Sequence, residues 1–133
     1  MKKEIVPEER EEFEKWLEQA EEDISSAKYN LDGEKYYVAA FLCEQTIEKA
    51  LKALMIKDGQ KLIKTHDLFL LSKKVGLPES FSSDLNDISG AYIDSRYCST
   101  LEGDIPSELF DEDQIKKFIN TAEEILEWIR KKI

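Results

Sequence analysis

Arginine and histidine are nearly missing from this chain. Three arginines (Arg10, Arg96, Arg130) and one histidine (His66) stand against 29 acidic residues, and the formal net charge is -10. Such a balance excludes a protein that coats nucleic acid indiscriminately, because that binding rests on many cationic contacts to phosphate. With one histidine, any imidazole chemistry must fall to His66. Two cysteines, Cys43 in an apolar stretch and Cys98 in an expected loop, give neither a disulfide framework nor a metal-ligand spacing, so reduced thiols and no metal or cofactor are expected. There is no Gly-rich phosphate loop, no G-x-S-x-G elbow and no H-E-x-x-H, which removes the enzyme classes built on them. Charges break every hydrophobic run well before the roughly 18 residues of a membrane span, and the opening MKKEIVPEEREEFEKW lacks the apolar centre of a signal peptide. The expectation is a cytoplasmic protein that does not enter membranes.

What the chain does have is helical periodicity. Its 133 residues, 41% hydrophobic, suit one domain over residues 1–133. Pro7 and the acids after it fit a first helical turn, and Phe13, Trp16, Leu17, Ala20, Ile24, Ala27 and Leu31 follow at spacings of three and four, to a stop near Asp32 and Gly33. A second helix is expected from about Glu34 to Asp58, closed by Gly59, and its near-complete apolarity makes it central. Thr65 is the expected cap of a shorter helix carrying His66, Leu68, Leu71 and Val75, ended by Gly76 and Pro78. A fourth helix presents Phe81, Leu85, Ile88 and Tyr92. Residues 97–110 read as a loop, and Asp111 caps a last helix with the stripe Ile115, Phe118, Ile119, Ala122, Ile125, Leu126 and Ile129. The fold class is therefore all-α: an antiparallel up-and-down four-helix bundle with a short additional helix.

A polar belt interrupts the central helix. Glu44, Gln45, Glu48, Lys49 and Lys52 cover a contiguous arc of roughly 140° at 100° per residue, in the middle of YYVAAFLCEQTIEKALKALMI. Carboxylates in that position must be paired or must face a groove. Lysines 49, 52, 57, 61 and 64 either form a solvated, lysine-rich turn or make an anion-attracting edge beside the belt.

Arg96 is placed by the same count about 60° from the centre of the fourth helix's stripe, within reach of the interior. Its expected partners are Glu44 or Glu48. The pair would serve as a buried lock on bundle register, or Arg96 would act on a ligand. His66, at an expected helix N-terminus, reads as a capping or packing residue, with no spacing that places it in the groove.

Three segments, AAFLCEQTIEKALKALMI at 39–56, THDLFLL at 65–71 and AYIDSRYC at 91–98, resemble the HEPN domains (higher eukaryotes and prokaryotes nucleotide-binding). The resemblance implies a helical bundle, often dimeric, with many members paired with a minimal nucleotidyltransferase as toxin and antitoxin or as enzyme and substrate-binding subunit. It also implies that Glu44 and Glu48 match the polar positions that approach the family's arginine, which Arg96 matches. RNase members carry a histidine after four to six residues beyond that arginine, and here those positions hold Leu101, Glu102 and Gly103. Lys15, Trp16 and Leu17 follow Arg10 at the same spacings, and the chain ends three residues after Arg130.

Three readings follow. The first is a homodimeric binding or interaction module, partner of a minimal nucleotidyltransferase, with a groove of Glu44, Gln45, Glu48, Lys49, Lys52, Arg96 and Tyr97 accepting a nucleotide or an RNA end. The second is a metal-independent RNase in which Arg96 steadies the phosphate and a non-histidine group moves the proton. In the third, the belt is purely a dimer interface.

Overall fold

The computed structural model describes residues 10–98 and 104–133, and within them all regular structure is helical. Helix α1 (Glu12–Asp32) begins at Glu11, whose side chain accepts from the Glu14 backbone N–H while the Glu14 carboxylate takes the Glu11 N–H. This reciprocal cap fixes the start later than the expected Pro7, which lies outside the described residues. At the other end Glu34 adopts a left-handed backbone with φ of 59°, so the next helix cannot begin there. Helix α2 runs instead over Tyr36–Lys57.

Helix α3 (Leu68–Val75) is capped by Asp67 rather than Thr65: the Asp67 carboxylate accepts from the Phe69 and Leu70 backbone N–H groups, at 3.0 and 3.2 Å. The Thr65 hydroxyl is too early in the chain and accepts only from the Asp67 N–H. Gly76, left-handed at φ 73°, closes α3 where a Cβ would be strained. A 3₁₀ turn at Glu79–Phe81 leads into α4 (Ser82–Asp94), and another at Pro106–Glu108 precedes α5 (Glu112–Lys132), capped by Asp111 as the sequence predicts.

Packing directions follow from cross-helix pairs. Asp23 meets Lys49, Lys52 lies over Trp16 and Lys57 over Phe13, so numbers fall along α1 as they rise along α2. Lys28 meets Glu123 and Arg130 meets Glu21, which sets α1 antiparallel to α5 as well. Lys117 approaches Asp84 between α5 and α4. The up-and-down order of α1, α2, α4 and α5 is that of the expected bundle, with α3 as the short addition.

The core is continuous across Ile24, Ile47, Leu51, Leu54, Leu68, Leu85, Ile88, Ile115, Ile125 and Ile129, all nearly inaccessible. Helix α2 packs against each of the other four helices. Its all-round apolarity matches that central position. No helix among the described residues is long and apolar enough to cross a membrane.

Candidate functional site

Burial makes the polar belt of α2 expensive, and the bundle handles its two edges differently. Glu44, Glu48 and Lys52 are all buried. Toward α1, Lys49 donates to the Asp23 carboxylate at 2.5 Å and to Gln45 Oε1 at 3.2 Å, while Gln19 donates to the other Asp23 oxygen at 2.9 Å. Lys52 donates to Glu48 at 3.0 Å and lies 5.5 Å from the Trp16 ring centre. Every charge on this side has a partner, as buried ions require.

Toward α3 and α4 the belt opens. A cleft of about 340 Å³ is lined by Glu44, His66, Phe69, Tyr92, Ile93 and Arg96, among others. Phe41 of α2 stacks on Tyr92 with centroids 5.6 Å apart, which holds the tyrosine as one wall. Phe69 and Ile93 supply apolar surface.

The sequence-derived site is partly assembled and partly dispersed. Glu44 and Arg96 share the cleft. Glu48 lies behind it and reaches it through His66, whose Nδ1 is 2.8 Å from Glu48 Oε1. Gln45 links the two sides by donating to Glu44 at 2.9 Å and accepting from Lys49. Lys49 and Lys52 serve the α1 and Glu48 contacts and do not line the cleft. Tyr97 is exposed beside Arg96.

Arg96 departs from expectation. It is exposed, with its guanidinium 4.2 Å from the Tyr92 ring centre and 5.3 Å from that of Tyr97, and it pairs with neither Glu44 nor Glu48. The helical count fails because α4 stops at Asp94. The Ser95 hydroxyl donates to the Tyr92 carbonyl at 2.8 Å and the chain turns, so Arg96 is carried off the helical face.

His66 is the residue that sequence reasoning missed. It neither caps α3 nor packs in the core: its side chain is 70% exposed, at the cleft, with its ring 6.3 Å from that of Tyr92. The signal that could have found it is the cap, because with Asp67 in that role His66 falls just outside α3, free to turn toward α2.

Electrostatics separate the two carboxyls. Burial, followed by the neighbouring Glu48 charge, pushes the Glu44 carboxyl up to about 8, while its bond from Gln45 and the nearby Arg96 act in the opposite sense. Glu44 therefore holds its proton more tightly than an ordinary carboxyl, whereas Glu48 is the member bonded to Lys52 and His66. Cys43, sealed in the core, has its thiol raised to about 12 by burial, and Cys98 is exposed; both are free. Among the described residues no cluster of three or more His, Cys, Asp or Glu side chains is arranged to hold a metal ion.

The arrangement can bind an anion at Arg96, stack a flat group on exposed aromatic surface, and exchange a proton at His66. Comparison with known proteins gives this geometry a family. No curated protein matches the chain. Among solved structures it is similar to TT1696 from Thermus thermophilus, at 25% identity and a TM-score of 0.84, covering 91% of this chain and 98% of that one. It is also similar to ST0689, described as an archaeal HEPN homologue, at 30% identity and a TM-score of 0.76, covering 91% of this chain and 97% of that one. The family model of the HEPN domain matches residues 13–132, and the chain accordingly belongs to the HEPN domain family.

Proposed function

We propose that this chain is a binding and interaction module whose cleft accepts a nucleotide or an RNA end, and that it works as a homodimer alongside a minimal nucleotidyltransferase, in a toxin–antitoxin-like pair. The observation that carries the reading is the exposed Arg96 on two tyrosine rings at the mouth of a cleft. A guanidinium held by stacking keeps its in-plane donors available, and an adjacent exposed ring such as Tyr97 offers a base a surface to stack on. Exposed Ile93 and Tyr97 beside the cleft support a protein contact on the same side. The partner assignment rests on the family likeness and on the absence of a complete RNase motif in the sequence. Titration with adenosine 5′-monophosphate and with short single-stranded RNA tests the ligand. Binding in the micromolar to millimolar range that falls at least about tenfold in Arg96→Ala is the expected result. Light scattering tests assembly, with a dimer mass expected at micromolar concentration.

A second reading, RNA cleavage, gains one observation. The motif positions Leu101, Glu102 and Gly103 lie outside the described residues and contain no histidine, yet His66 reaches the cleft of Arg96 from another segment. Incubation of a fluorogenic single-stranded RNA with the purified protein decides between the two. The binding reading expects no cleavage, and metal-independent cleavage abolished in a folded Arg96→Ala variant would replace it with the nuclease.

A further inference from the structure

Arg96 and His66 enter one cleft from different segments, and each keeps a nitrogen that no hydrogen bond within the described structure uses. Stacking on Tyr92 and Tyr97 engages the faces of the guanidinium and leaves its N–H edges without an acceptor among the described residues. His66 is tied at one nitrogen only. Glu48, bonded to Lys52, offers a carboxylate oxygen 2.8 Å from Nδ1, and a carboxylate accepts but does not donate, so Nδ1 carries the hydrogen. Nε2 is left as the free nitrogen: an acceptor in the neutral ring and a donor in the imidazolium.

We infer that the cleft takes a terminal phosphate, the dianionic phosphomonoester of a nucleotide or of an RNA end, and that His66 takes up a proton from solvent when that phosphate binds. The inference rests on the binding reading above and adds the ligand's charge state and the proton that accompanies it.

Oxygen count and charge both favour the monoester. A guanidinium edge can hold two phosphate oxygens, and an imidazolium Nε2–H can hold a third. A monoester presents three terminal oxygens, whereas an internal diester presents two. The groups facing His66 set the charge balance. From α2 come Glu48, already met by Lys52, and Glu44, whose burial favours the neutral acid; from the start of α3 comes Asp67, whose carboxylate is spent on the Phe69 and Leu70 N–H groups; from α4 come Tyr92 and the Arg96 beyond it. Arg96 alone supplies one positive charge toward the ligand. A neutral His66 would turn a lone pair toward a phosphate oxygen, while a protonated one supplies both the missing donor and the second charge. Glu48, bonded to Nδ1 on the far side of the ring, holds the imidazole in place.

Calorimetric titration near pH 7.5 tests this, because a phosphomonoester, with a second pKa of about 6, is then already dianionic and the proton counted belongs to the protein. Two buffers of different ionisation enthalpy give the uptake. The ligands are adenosine 5′-monophosphate, adenosine, and one short RNA with and without its 5′-phosphate. The phosphorylated ligands are expected to bind at least about tenfold more tightly than their unphosphorylated counterparts, with uptake of up to one proton per site. His66→Gln, at an exposed position, should fold normally, bind more weakly and lose the uptake, and Glu44→Gln should keep it. The two phosphorylated probes show whether the source is free nucleotide, an RNA end or both. Phosphate binding without uptake, uptake that persists in His66→Gln, or equal affinity for RNA with and without its phosphate would overturn the inference while leaving the binding reading in place. Failure of every probe to bind would remove both.

Discussion

The two edges of the belt on α2 use similar residues to opposite ends. On the α1 side Lys49 is enclosed by Asp23 and Gln45, and Lys52 lies between Glu48 and Trp16. Toward α3 and α4, Glu44 receives no salt bridge among the described residues, and the side chains of Arg96 and His66, which share its cleft, face solvent. A closed edge holds the helices in register. An open edge gives up that stability and keeps its charges for a ligand, as sites that bind generally do.

Breaking the closed edge should have the largest effect. Lys49→Ala leaves Asp23, which is 7% exposed, with Gln19 as its remaining bonded partner. An uncompensated buried carboxylate typically costs about 3–5 kcal/mol, and some water access at Lys49 brings the expected loss to about 3 kcal/mol. Urea denaturation checks it. The double variant Lys49→Met with Asp23→Leu should recover most of the loss, because it removes both charges together. A Lys49→Ala midpoint equal to wild type would show that the pairing holds no register.

The same contrast marks what can be read from the sequence. The helices and their apolar stripes are legible because a 3.6-residue period is a local property. The belt itself, the dominance of α2 and the Asp111 cap belong to that class. The partition of the belt is not legible: whether Lys49 faces α1 or a ligand depends on Asp23, 26 residues away. The helical count misplaces Arg96 because it runs two residues beyond the end of α4. His66 meets Glu48 only after the irregular segment between α2 and α3 has folded back, and no periodicity reports on that closure.

The buried acid of the open edge should show a smaller, pH-dependent effect. The folded pKa of Glu44 lies above its unfolded value, at about 8, so the native state holds the proton more tightly. Its contribution is then fully present below about pH 4.5 and declines as pH rises toward 8. Glu44→Gln mimics the neutral acid permanently. Relative to wild type the variant should gain on the order of 2 kcal/mol between about pH 5 and about pH 8, since each tenfold change in proton affinity is worth about 1.4 kcal/mol and Glu48 retains part of the strain. Thermal melts across that range should be flatter for the variant. Parallel curves for the two proteins would mean that Glu44 is charged in the folded state, and the closed and open edges would then differ less than their geometry implies.

The smallest stability effect is expected where the sequence alone pointed to a structural role. As a cap or packing residue, His66 would cost stability when removed; at 70% exposure with one bond to Glu48, it holds little of the bundle together. Glu48 keeps Lys52 after His66→Ala, so no buried charge is stranded, and a change under about 0.5 kcal/mol is expected. Arg96→Ala, which removes only exposed stacking, should behave alike. Both variants should nonetheless lose nucleotide binding, and that separation between unchanged melting and lost affinity is what an open edge requires. A His66→Ala variant that melts several degrees early while binding as wild type would place His66 among the residues that build the bundle, and the belt would then have two closed edges.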